Sequence, residues 1–197
     1  MDRTDLARVT AFSDAVMAVA ITLLVLSIEV PSVADSQLKG QLDDLALPVA
    51  VYALAFALVG RFWVMHHRLF EELRDLDGRL MALNLLFLGL IALLPFSTDL
   101  MGEYDTVPEA AAVFAGTIAL TSLTHWAMSR YSVRQGFLPD ASHRFAQPAG
   151  LGFAALFLIS IPAAYLETRV AQVMWIGAVF LHYPLRRVAE RAPDTSR

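Results

Sequence analysis

The groups in this chain best suited to chemistry are one carboxylate and a pair of imidazoles set in apolar surroundings. Asp14 follows Phe12 and Ser13 in LARVTAFSDAVMAVAITLLVLSIEVP, Leu6 to Pro31, and His66 and His67 stand in RFWVMHHRLF. Carboxylate and imidazole at membrane depth suit a proton relay, and a charge inside an apolar span is a functional hypothesis by default. Metal chemistry fits less well. Adjacent histidines diverge by about 100° on a helix, whereas metal pairs use i,i+4 spacing. No glutamate or aspartate is expected to complete a zinc site, so a histidine-based membrane enzyme lacks its partner ligands. His125, beside Trp126 and following Thr117, Thr121 and Thr124, is a further imidazole; such hydroxyls usually bond their own carbonyls or a neighbouring helix. The chain has no cysteine, which excludes disulfides, thiol catalysis and thiolate metal sites.

Helices must position these groups. Hydrophobic residues make up 57% of the chain, charged residues 17%, and mean hydropathy is +0.55, well above soluble-domain norms. The apolar residues fall in six runs, about 6–30, 45–65, 80–100, 107–128, 148–166 and 170–184. Each approaches the ~20 residues of a bilayer-spanning helix, the last being somewhat short. Backbone groups within a bilayer must be satisfied inside the segment, so these runs predict helices and not strands. The expected fold class is an all-α integral membrane protein, one domain over residues 1–197 with six transmembrane helices. The longest loops, about Pro31–Asp44 and Ser129–Gln147, hold 14 and 19 residues, leaving no soluble domain. There is no Gly-rich phosphate loop, nucleic-acid-binding motif or heptad run, so neither cofactor nor nucleic acid is expected. The opening MDRTDLAR is mixed in charge and the first apolar run is long, which predicts no cleavable signal peptide. Pro95 and Pro162 fall within the third and fifth helices and predict kinks there.

Basic residues orient the bundle. Arg3, Arg8, Arg61, Arg68, Arg74, Arg79, Arg130, Arg134, Arg144, Arg186, Arg187, Arg191 and Arg197 fall on one side, and Lys39 and Arg169 on the other. The positive-inside rule places both termini in the cytoplasm of a multi-pass plasma-membrane protein, and an even number of spans agrees. The opposite face carries Glu29, Asp35, Asp43, Asp44, Asp99, Glu103, Asp105, Glu109 and Glu167. Nine acids against two bases give it a formal charge of −7, which would raise the local cation concentration.

The first helix can be worked through. At about 100° per residue, Phe12, Val19, Leu23, Leu26 and Val30 share one stripe, a polar lower half beneath an aliphatic ladder. Such a face suits a pore-lining helix with a hydrophobic constriction. Asp14 points well off the stripe, toward Ala18, Ile21, Val25 and Ile28, and is expected to face neighbouring helices. A carboxylate there needs partners; donors at similar depth are Arg8, Ser13, Trp63, His66, His67 and Asn84. A hydrogen-bonded knot of the first three helices is the expectation.

Those residues also carry a family resemblance. Arg8, Phe12, Ser13 and Asp14 match the Arg-x-x-x-Phe-Ser-Asp signature of the transmembrane protein 175 family of potassium channels. FSDAVMAVAITLLVL continuing to Glu29, FWVMHHRLF and LLPFSTDLMGE follow in the order of bacterial single-repeat members, so the resemblance covers the first half of the chain. It implies a homotetrameric, potassium-selective or potassium-preferring channel in a lipid bilayer, with potassium as a transient permeant ion. Its pore would be lined by the first helix and would lack a carbonyl filter, in line with the absence of a TVGYG-like loop. The resemblance assigns the stacked constrictions to Val19, Leu23 and Leu26, implicates Thr22 in cation preference, and gives the signature residues the task of holding helix 1 against its neighbours. Valine is smaller than the residue expected at the first layer, so the tightest ring shifts to Leu23 or opens slightly. Arg8 falls on the pore stripe by ideal geometry, and is expected to reach sideways into the knot. The alternative is a proton-coupled carrier using Asp14 with His66 or His67, against which stands the lack of an inverted repeat or a Gly/Pro-broken helix pair.

Overall fold

The computed structural model describes residues 3–28, 30–31, 40, 42, 45–139 and 149–189, without the side chains of 3, 4, 149 and 179–189. Glu29, Asp35, Lys39, Asp43, Asp44, Arg144, Arg191 and Arg197 therefore lie outside the described residues, as do the side chains of Arg3, Arg186 and Arg187. The chain forms α1 (Arg3–Leu23), a 3-10 turn (Leu24–Ser27), α2 (Ala46–Glu72), α3 (Gly78–Glu103), α4 (Pro108–Arg134), α5 (Ala149–Leu166) and α6 (Thr168–Ala189). Among the described residues there is no strand. Four helical segments are long and apolar enough to cross a membrane, Asp5–Ser27, Ala46–Glu72, Gly78–Glu103 and Pro108–Arg134, and Gly150–Leu166 is a shorter apolar helix.

Several boundaries differ from the sequence expectation, each with a local cause. The first helix is not α-helical to Val30. It tightens at Leu24 into a 3-10 turn, where Thr22 Oγ1 donates to the Val19 carbonyl at 2.8 Å and Ser27 Oγ to the Leu24 carbonyl at 2.8 Å. Such hydroxyl back-bonds compete with the regular ladder. Residues three apart eclipse in a 3-10 turn, so Leu23 and Leu26 remain in line. The second helix runs seven residues beyond the expected end at Met65, to Glu72, because His66, Leu69 and Phe70 turn inward and are buried. Arg61 consequently lies well inside α2, its guanidinium 4.3 Å over the Phe153 ring of α5. The fourth helix runs on to Arg134 and shortens the following loop at its start. It stops where Gly136 takes φ +70°, a left-handed conformation natural to glycine, with the Phe137 N–H on the Ser132 carbonyl.

The α2–α3 turn is tied by one acid. Asp77 caps α3, its Oδ1 accepting the Leu80 N–H at 2.8 Å while Oδ2 accepts the Tyr131 hydroxyl of α4. The Tyr131 bond, and then the Leu80 bond, hold its carboxyl below the usual carboxylate range. α4 is the centre of the bundle, between α3 and α5. Its interior face carries Ala110, Ala111, Ala115, Ala119, Thr121 and Ser122, small side chains that let membrane helices approach closely. α6 closes the far side, where Trp175 is buried against Phe114 and Phe157 and donates to Ser160 Oγ at 2.7 Å. α1 instead packs on α2 and α3. Pro95 and Pro162 stand inside α3 and α5.

Candidate functional site

The expected single knot is two separate arrangements. The first is buried. Ser13 of α1, Asn84 of α3 and His66 of α2 are wholly covered and bond in series. Ser13 Oγ donates to the Val9 carbonyl at 2.9 Å and accepts from Asn84 Nδ2 at 3.0 Å. Asn84 Oδ1 lies 2.8 Å from His66 Nε2. An amide oxygen only accepts, so His66 carries a proton on Nε2. The imidazole is held flat between Phe70, 4.1 Å away at 17°, and Phe87, 5.3 Å away at 10°. Every donor in the series points from α2 through α3 into α1, which fixes the three helices in depth and rotation.

The second arrangement is open to solvent. Asp14 is half-buried, and its Oδ1 accepts the Trp63 indole N–H at 2.9 Å. Trp63 in turn stacks on His67, with ring centroids 5.2 Å apart at 14°. His67 Nε2 is 3.1 Å from Glu71 Oε1. A cleft of about 480 Å³ between α1 and the end of α2 is lined by Thr10, Asp14, His67, Phe70, Glu71 and Arg74, among others. Glu71 is absent from the sequence expectation, although it stands four residues from His67, on one helical face. It pairs with a histidine and completes no metal site. Among the described residues no three metal-ligating side chains come together. Arg8 and Phe12 belong to neither arrangement. Arg8 is exposed, with no hydrogen bond or ion pair among the described residues, so it does not reach into the knot. Phe12 is 53% exposed, on the outward stripe.

That stripe is the third element of the site. The chain leaves Val19 56%, Leu23 43% and Leu26 72% exposed, and Thr22 lies exposed beside them. The inward stripe is Ser13, Met17, Ala20 and Leu24, each at most 2% exposed. This corrects the expected bearing of α1 by one residue: Ser13 and not Asp14 leads the inward face, and Val25, expected against neighbouring helices, is 49% exposed. An amphipathic count cannot register this rotation, because past Asp14 α1 is apolar on every side but for Thr22, and the tie to α3 is the Ser13–Asn84 bond.

The relay chemistry weakens on this geometry. The carboxylate meets an indole, which donates but does not accept, and His66 meets an amide. Asn84 separates His66 from Ser13, and no path of titratable groups joins Asp14 to His66 through these bonds.

Comparison with known proteins bears on the same residues. The family described as "Endosomal/lysosomal potassium channel TMEM175" matches residues 8–95. A potassium channel of Streptomyces collinus is 39% identical over 139 residues, covering 68% of this chain and 67% of that protein. A zebrafish protein named "Endosomal/lysosomal proton channel TMEM175" is 28% identical over 133 residues, which is 66% of this chain and only 26% of the relative. Among solved structures, the crystal structure of a lysosomal potassium-selective channel TMEM175 homolog from Chamaesiphon minutus superposes with a TM-score of 0.75 at 27% identity, covering 96% of this chain and 100% of the other.

Proposed function

We propose that this chain, which belongs to the TMEM175 family, is one subunit of a homotetrameric, potassium-preferring channel of the plasma membrane whose pore is lined by α1. The family is one of ion channels and not of enzymes. The observation that carries the reading is the ladder of Val19, Leu23 and Leu26, which a single chain leaves uncovered on the helix bearing the signature residues. Four copies around an axis would bring these side chains into stacked rings. Conduction is then governed by the width and wetting of aliphatic layers, with no carbonyl cage and no bound cofactor. Leu23 and Leu26 stand in line across the 3-10 turn, and Thr22, its hydroxyl already committed to Val19, offers an oxygen beside them.

The remaining parts of the reading follow from the same arrangement. Six spans with both termini in the cytoplasm would put Asp14, His67 and Arg74 at the inner mouth. Asp99, Glu103, Asp105 and Glu109, around the α3–α4 connection, would gather cations outside. The buried series from His66 to Ser13 and the Trp63–Asp14 bond support a positioning role for two of the signature residues, Ser13 and Asp14, since both terminate on α1. A carrier relaying protons between Asp14 and His66 or His67 is the weaker reading, because Asp14 meets the Trp63 indole, which only donates, and among the described residues no hydrogen bond joins it to either histidine. The test is flux from liposomes holding the purified protein, with potassium and sodium compared and no proton gradient applied. Potassium flux exceeding sodium flux is expected. Transport that stops without a proton gradient would give the carrier precedence.

A further inference from the structure

α4 is covered by its neighbours except along one face. Leu120, Leu123, Ala127, Arg130 and Arg134 recur at spacings of 3, 4, 3 and 4, so they lie on one stripe. Leu120 and Arg134 are exposed and the three between them half-buried, whereas Ala119, Ser122, His125 and Met128 on the other faces are buried. The stripe changes character along its length, being apolar as far as Ala127 and ending in two arginines. From Leu120 to Arg130 the helix rises ~15 Å, half of a ~30 Å hydrocarbon core. It therefore offers one leaflet's depth of apolar surface with two guanidinium groups at its end.

Neither arginine has an ion pair or hydrogen bond among the described residues. Asp77 reaches this end of α4, but its oxygens accept from the Tyr131 hydroxyl and the Leu80 N–H, and Arg79 stands beside it. Trp126 borders the stripe one turn before Arg130. The α5 backbone passes so close that a methyl group on Gly150 would lie 3.4 Å from the Trp126 Cβ, so α5 holds that side chain in place. The indole is half-buried, and its N–H has no partner among the described residues. Indoles with arginines at one level mark the headgroup boundary of a bilayer. Two guanidinium groups supply the charged, forked donors that phosphate oxygens accept. α1, the helix proposed to line the axis, packs on α2 and α3, so an assembly around α1 leaves this face of α4 to lipid.

We propose that the arginine end of α4 is a binding site for an anionic phospholipid. Arg130, Arg134 and the Trp126 N–H take the headgroup oxygens, and an acyl chain lies along Ala127, Leu123 and Leu120. On the topology proposed above the lipid belongs to the inner leaflet. Binding itself requires neither that topology nor ion flux.

The purified full chain in detergent is mixed with equal amounts of dioleoylphosphatidylglycerol and dioleoylphosphatidylcholine, which share their acyl chains. The lipid retained is counted by native mass spectrometry. The parent should retain the anionic lipid in preference. An arginine near a membrane surface contributes roughly fivefold in binding, so Arg134→Gln should lower the preference by about that factor. Arg130→Gln combined with Arg134→Gln should abolish it. Arg68→Gln, at an exposed position on α2, should keep the parental preference. Arg134 is on the surface, so its single variant decides the matter even if the double variant fails to fold. A parent without preference, or an Arg134→Gln protein that keeps it in full, overturns the site. So does an equal loss in Arg68→Gln, which would make the overall charge of that side the cause. Displacement of the lipid by inorganic phosphate would reveal a bare anion site instead. An Arg134→Gln protein that elutes as a smaller assembly would show that this face meets a second copy and not lipid.

Discussion

Asn84 is the residue on which the α1–α2–α3 contact turns. Its amide spends its oxygen on His66 and a donor on Ser13, all three fully buried. Asn84→Ala would leave the His66 N–H and the Ser13 oxygen unpaired, and each buried group costs about 1–3 kcal/mol when stranded. Asp14 is different, because its partner Trp63 is 39% exposed and water can replace the lost carboxylate. Asn84→Ala should therefore lower the melting temperature of the purified protein more than Asp14→Ala does. Asp14→Ala should show its effect in flux. Equal melting losses for the two would mean that Asp14 and Asn84 belong to one buried network after all. The sequence names Ser13, Asp14, Trp63, His66, His67 and Asn84 as groups at similar depth, but it cannot sort them into a sealed set and an open set. That division depends on which way His66 and His67 face, and adjacent residues on a helix must diverge.

At the scale of the element, α1 presents two faces separated by one residue step. Leu23 is 43% exposed and Leu24 fully buried, which makes the pair a matched comparison within identical chemistry. Leu24→Ala empties packed volume and should cost about 2–5 kcal/mol while leaving the ion preference of the surviving channels unchanged. Leu23→Ala should cost little stability, raise conductance and lower the preference for potassium over sodium. The proposed ladder fails if both substitutions alter selectivity equally. The existence of these helices is legible in the apolar runs, since a bilayer-length stretch with no polar face has few other structures available to it. Their ends are less legible. HHRLFEE reads as a polar exit from the second helix, yet His66, Leu69 and Phe70 are buried and the helix continues to Glu72. The 3-10 turn at Leu24 is also invisible to an apolar count, because Thr22 and Ser27 act through back-bonds to carbonyls three residues back and not through their hydropathy.

The whole molecule divides into a packed body and an outward helix. α4 to α6 enclose the aromatic core around Trp175, whereas α1 lies on α2 and α3 with its aliphatic ladder uncovered. That asymmetry is what a central axis shared by several copies would use, and it can be tested because the chain has no native cysteine. The most direct measurement is block of potassium flux by silver ion in channels carrying one introduced cysteine per subunit. Leu23→Cys would place four thiols in one ring, and silver applied to reconstituted channels should abolish their flux. Leu24→Cys, one residue away on the buried face, should be unaffected at the same silver concentration, as should the cysteine-free parent. Flux that persists through silver-treated Leu23→Cys channels, or is blocked equally in Leu24→Cys, would contradict a pore lined by this face of α1.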